Sequence, residues 1–240
     1  MFDDIPRAEV QSVIDRAVTE LLAAAGVQGP PVDAITLAQR HLGMVVCLDR
    51  RQEQRGRAQR SGGRRQIFLR PEPTEERHQW TVAHEIGEHQ KAALLERLGV
   101  APDQTQPMAG ESLANLFAYR LLVPTSWFAA DAPACGYDLL QLKQRFHTAS
   151  HEVIAWRMLD LPEPCIITVI DNDSVRRRRS NAWPVNRQLA AAEEECRRGV
   201  NSQGRPQVVR RDNWTVQGWP VHQADWKREI LRSVIEEGEW

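Results

Sequence analysis

Cysteine is sparse and never paired in sequence: Cys47, Cys135, Cys165 and Cys196 stand far apart, and no C-x-x-C occurs. This argues against a cysteine-built zinc site or a disulfide framework and fits a reducing compartment. Long apolar runs are missing as well, since no uncharged stretch approaches the ~18 residues that a membrane span requires. Net charge is almost absent, at −1, so no global field draws the chain to nucleic acid or a lipid surface. The opening M-F-D-D-I-P-R-A-E carries acids where a secretory signal carries lysines followed by an apolar run. The expected location is therefore the cytoplasm, with no membrane partner. There is no internal repeat and no low-complexity tract. What is present, 42% hydrophobic and 26% charged residues over 240 positions, is ordinary globular composition, long enough for one large domain or two small ones.

Periodicity lays out the chain. Val10, Val13, Ile14, Ala17, Val18, Leu21, Leu22 and Ala25 recur at three and four residues, predicting a helix over 8–25 stopped by Gly26. A short helix over 32–42 is expected next, then a buried strand at M-V-V-C-L. The arginine-rich stretch 50–65, with its three glycines and no interleaved aromatic for base stacking, reads as a solvated loop rather than a nucleic-acid patch. Q-I-F-L-R at 66–70 is the returning strand. Thr74, Glu75 and Glu76 then suit the cap and acidic first turn of a helix running to about Leu98.

Further along, a loop is expected from Pro124 to Gly136, then two helices over 138–146 and 150–159 joined by H-T-A-S. That outline is shared with DNA-reading helix-turn-helix units, but the second helix is too apolar to enter a groove. A boundary is expected at 161–164, giving domains 1–160 and 161–240. In the second, P-C-I-I-T-V-I and S-V-R-R-R-R-S form a hairpin whose arginine run at 176–179 reads as solvated, and a helix over 186–198 ends at Gly199. Short strands are expected near Val208 and Trp214, and a terminal helix over 225–237 docks through Trp226, Ile230, Leu231, Val234 and Ile235.

Two stretches carry chemistry. The first is W-T-V-A-H-E-I-G-E-H, Trp80 to His89; the second is E-S-L-A-N-L-F-A-Y-R-L-L-V-P, Glu111 to Pro124. At about 100° per residue, His84 and Glu88 lie on one helix face a turn apart with Glu85 beside them, as in the H-E-x-x-H metallopeptidase helix. Here, however, i+4 is Glu88, and the histidine arrives one residue late as His89. In a regular helix His89 points about 140° from His84, and a π-bulge would be needed to bring it onto the same face. Small and apolar residues at helical spacing behind Glu111 describe a second helix that packs closely and carries a leading carboxylate.

The pair resembles the ImmA/IrrE family of metallo-endopeptidases, which carry A-H-E-[LI]-G-H and then E-x-x-A-N-x-F-A-x-x-L-L-x-P. The resemblance implies an α+β, zincin-like peptidase domain over 1–160, followed by a small α/β region. It implies His84 and Glu111 as metal ligands and Glu85 as the general base assisting attack by metal-bound water. Glu88 takes the family's histidine position, and His89 stands as the alternative ligand. His151 is a further candidate, as an oxyanion donor or ligand. The implied metal is Zn2+; a shell of one imidazole and two carboxylates also suits Mn2+ or Fe2+. The implied substrate is a regulatory protein such as a helix-turn-helix repressor, bound as an added strand beside a sheet, for which Ile67 to Leu69 is the candidate. The competing readings are a peptidase-fold binding module without efficient hydrolysis and, further back, DNA binding through 138–159.

Overall fold

The computed structural model describes residues 5–61, 64–101, 107–223 and 225–236; the side chains of 60, 61 and 107–111 lie outside that description. The fold is α+β and divides into two compact units, residues 1–131 with 144–150, and 132–143 with 151–240.

In the first unit, α1 (Arg7–Ala24) buries Val10, Ile14, Val18 and Leu22 of the expected stripe and leaves Val13, Ala17 and Leu21 half-buried beside them. The short α2 (Ala34–Arg40) is capped by Asp33, whose side chain accepts from Thr36 N. A three-stranded sheet follows: β1 (Val45–Leu48), β2 (Gly56–Ser61) and β3 (Arg64–Leu69), in the order β1-β3-β2. β1 runs parallel to β3 and β2 antiparallel to it.

Three expectations change here. The stretch 50–65 is not all loop, because its second half is β2, whose polar residues gain a ladder of backbone hydrogen bonds from β3. β1 is only half-buried, with Leu48 65% exposed. β3, proposed as the receiving strand, is central and already paired on both sides, so the edge belongs to β2.

α3 (Glu75–Arg97) and α4 (Pro107–Leu122) form the spine of this unit. Thr74 sits at the N-cap in extended conformation, but its side chain makes no capping hydrogen bond. Gln79, 1% exposed, ties α3 to α2: its Oε1 accepts from Ala34 N at 2.7 Å and its Nε2 donates to Asp33 Oδ1 at 3.0 Å. Burial without such partners would cost more than the side chain contributes. Ala83, Ala114 and Ala118, all fully buried, keep the facing surfaces of α3 and α4 small.

Residues 125–134, expected as loop, form α5 (Thr125–Ala134), an alanine-rich segment with Pro133 in the last turn, just before the helix stops. α6 (Leu139–Arg145) follows, and the division between the units passes through α5 and α6.

In the second unit, α7 (His151–Arg157) leads into a 3-10 turn, Met158–Asp160. All of Val153 to Arg157 is buried, which is incompatible with α7 lying in a DNA groove. A five-stranded antiparallel sheet contains β4 (Ile166–Asp171), β5 (Ser174–Ser180), β6 (Gln207–Arg211), β7 (Trp214–Pro220) and β8 (Arg228–Ile235), ordered β5-β4-β8-β7-β6. Asn172 and Asp173, both at positive φ, make the tight β4–β5 turn.

α8 (Ala191–Gln203) covers one face, packing Ala192, Cys196 and Val200 on Ile170, Val216 and Leu231. It starts and ends later than its sequence suggested, closing at Gly204 while Gly199 lies inside it. The expected terminal helix is instead β8, the middle strand of the sheet. Ile230 to Ser233 are buried without alternation because both faces are covered, and such a run has no strand period to read. Nor is the arginine run simply solvated: Arg178, 5% exposed, donates to Glu193 Oε1 at 2.6 Å and Thr168 Oγ1 at 2.7 Å.

Candidate active site

Four of the candidate residues, His84, Glu85, Glu88 and His89, lie on α3 where it passes both α4 and the edge strand β2. α3 is α-helical without interruption from Glu75 to Arg97, so no π-bulge rotates His89 toward His84, and His89 is exposed. His84, Glu85 and Glu88 are half-buried. His84 Nδ1 lies 3.2 Å from Asn115 Oδ1 on α4. This contact ties Nδ1 to α4 and leaves Nε2 on the other side of the ring. This is how a metal-binding imidazole is usually oriented, through its other nitrogen.

One turn earlier, Trp80 packs edge-on against Tyr119, ring centres 4.6 Å apart. Gly87 makes the close approach of the helices workable: a Cβ there would stand 2.9 Å from Ala114 O and 3.1 Å from Phe117 Cβ. Gly56 does the same for β2. A Cβ on it would meet Thr81 Cγ2 at 2.2 Å and lie 3.5 Å from Glu85 Oε1, so the edge strand runs directly against the face that carries Glu85.

Glu88 has Lys91 Nζ 3.6 Å from its Oε2. Glu111 belongs to α4, but its side chain lies outside the described residues. Among the described residues no three His, Cys, Asp or Glu side chains converge as a metal site. His151 begins α7 in the second unit and is half-buried. At the approach to α3, Glu72, 3% exposed, accepts from Arg70 Nη2 at 2.6 Å and Arg77 Nη1 at 2.9 Å. Burial alone would raise its pKa; the hydrogen bonds and charges of Arg70 and Arg77 outweigh that and hold the carboxyl below its ordinary value.

Sequence reading did not assign roles to Asn115, Gly56 or Gly87. Asn115 carried a signal, since it lies one turn after Glu111 on the same helical face. Gly56 carried none, being hidden among arginines.

A model of the IrrE N-terminal-like domain, a peptidase family, matches residues 39–158, half of the chain. No curated protein matches. Among solved structures, one described as a Mycobacterium tuberculosis transcriptional regulator is similar with a TM-score of 0.67 at 17% identity, covering 95% of this chain and 80% of that one. At that identity the likeness is one of fold. No described helix is long and apolar enough to cross a membrane. With the A-H-E-I-G helix on α3, the A-N-L-F-A segment on α4, and the family model spanning both, the chain belongs to the IrrE N-terminal-like peptidase family.

Proposed function

We propose that the protein is a metal-dependent endopeptidase acting on a regulatory protein in the cytoplasm. In this reading His84, Glu88 and Glu111 hold a divalent cation and Glu85 is the general base. The observation that carries it is a register between two antiparallel helices. Trp80 meets Tyr119 and His84 meets Asn115, the second pair one turn along from the first. One further turn in the same direction reaches Glu88 on α3 and position 111 on α4.

The chemistry of these residues fits a cation: an imidazole held at Nδ1 by Asn115, and carboxylates from two helices. Zn2+ suits the set, and its oxygen content also admits Mn2+ or Fe2+. When bound, such an ion polarises a peptide carbonyl and acidifies water. Glu85 accepts the proton of the attacking water and returns it to the leaving amine. The edge of β2, which passes Glu85 at Gly56, receives the substrate as an added strand. Residues 1–160 carry this activity.

Metal bound per chain tests the assignment. It is expected to be stoichiometric in the native protein and His89→Ala, and lost in Glu88→Ala and Glu111→Ala. Glu85→Gln is expected to keep the metal and lose cleavage of an unstructured protein. Metal lost only in His89→Ala would move the ligand to that residue, and metal unaffected by every substitution would end the proposal.

A second reading, a binding module with little hydrolysis, is favoured by the contact of Lys91 with Glu88, which sets an ammonium against a proposed ligand. It gains if the metal-loaded protein binds unstructured peptides and cuts none.

A further inference from the structure

The β2 edge carries a charge pattern that the reaction does not use. Between Asp49 and Arg70 the chain holds eight arginines and two carboxylates, although the protein as a whole carries −1. Because Gly56 is pressed against Thr81, alternation along the strand puts Arg57 on the opposite face; Arg55 stands just before the strand and carries its pairing one residue further, its carbonyl accepting from Arg70 N at 3.1 Å. Both are exposed, Arg55 by 66% of its side chain.

Nearby acids do little to neutralise them. Glu72 lies 4.0 Å from Arg55 but is held more closely by Arg70 and Arg77, and Asp49 accepts from the backbone of Arg51. Glu53 lies with Arg51 and Arg57 along the hollow beside the strand. The guanidinium of Arg57 lies over Phe68, 5.5 Å from the ring centre, a contact that orients it without using its N–H groups. Two residues of extended chain span about 6.6 Å, so Arg55 and Arg57 match carboxylates at alternate positions of a strand laid alongside.

We propose that the β2 edge selects an extended protein segment carrying Asp or Glu at alternate positions, read by Arg55 and Arg57. This rests on the reading of β2 as the substrate strand. A polypeptide is favoured over a nucleic acid because a sheet edge offers backbone N–H and C=O groups that only another backbone matches in series. In addition, the Phe68 ring is already covered by Arg57.

The test measures binding of end-blocked eight-residue peptides by fluorescence anisotropy at low salt, using the full chain with Glu85→Gln to prevent turnover. A peptide alternating Glu with Val is expected to bind about tenfold more tightly than its Gln counterpart, as two exposed ion pairs allow. It is also expected to bind more tightly than an isomer with the same glutamates adjacent. The preference should fade with salt, vanish in Arg55→Gln/Arg57→Gln, and turn toward Lys-containing peptides in Arg55→Glu/Arg57→Glu. Equal binding of the Glu and Gln peptides, a preference that survives both double variants, or arginine-dependent binding of a single-stranded oligonucleotide without binding of the acidic peptide would each overturn the proposal. Digestion of an unstructured protein by the metal-loaded native chain separates the two readings. Acidic-strand binding without any cleavage removes the peptidase and keeps the docking edge, whereas cleavage without acidic preference does the reverse.

Discussion

At the scale of residues, the His84–Asn115 hydrogen bond decides what His84 is prepared to do. The contact between Nδ1 and Asn115 Oδ1 ties the imidazole to α4 in one orientation. Asn115→Ala is expected to lower metal affinity by about 10- to 100-fold while leaving secondary structure intact. Titration against a competing chelator measures this, and unchanged affinity would mean that the bond orients nothing. Glu72 gives a prediction of a different kind. Its carboxyl is held below the ordinary value near 4.5 because Arg70 and Arg77 outweigh the cost of burial. The folded state therefore binds fewer protons than the unfolded one. The stabilisation is present above the unfolded pKa and is lost as pH falls through the folded pKa. In Glu72→Gln the acid limb of stability against pH should flatten, as read from urea midpoints at a series of pH values below neutrality; an unchanged limb would assign acid lability elsewhere.

At the scale of elements, the close approach of α3 to α4 is what brings His84 to Asn115, and Gly87 permits it. A methyl group at Gly87 would stand 2.9 Å from a backbone oxygen that cannot rotate away. Gly87→Ala is accordingly expected to cost ~1–3 kcal/mol, seen as a lower urea midpoint at constant slope. Much of this pairing was legible in advance. The A-H-E-I-G segment and the small residues Ala114 and Ala118 announced two helices made to pack tightly. The identity of the edge strand was not legible, because β2 is polar apart from Gly56 and Ala58 and its only reason to be a strand is its pairing with β3. The same holds for α5, whose Pro133 reads as a breaker yet falls in the last turn.

At the scale of the whole molecule, the two units rest on different interiors. The second buries an ion pair, Arg178 with Glu193, whose carboxylate also accepts from Ser233 Oγ at 2.7 Å and caps α8 through Ala190 N at 2.8 Å. Removing one member leaves a charge in the interior with its partner gone, so Glu193→Ala is expected to destabilise by ~3–5 kcal/mol. Metal stoichiometry should stay at the native value, since the proposed ligands belong to the first unit. Elemental analysis alongside thermal unfolding checks both, and metal loss in Glu193→Ala at temperatures where it remains folded would contradict this separation.

From its residues alone the chain determined its family, its motif helix, the helix that packs on it and the α1 stripe. Each depends on a period or spacing local enough to be written in consecutive positions. Tertiary structure decided the rest. It made Arg228 to Ile235 the central strand of a sheet, where burial on both faces erases any period. It buried Arg178, which in sequence is one of four like charges. It also placed Gly56 against Glu85, a contact between residues 29 positions apart, which no local pattern encodes because the space a glycine must leave is defined only by what packs against it.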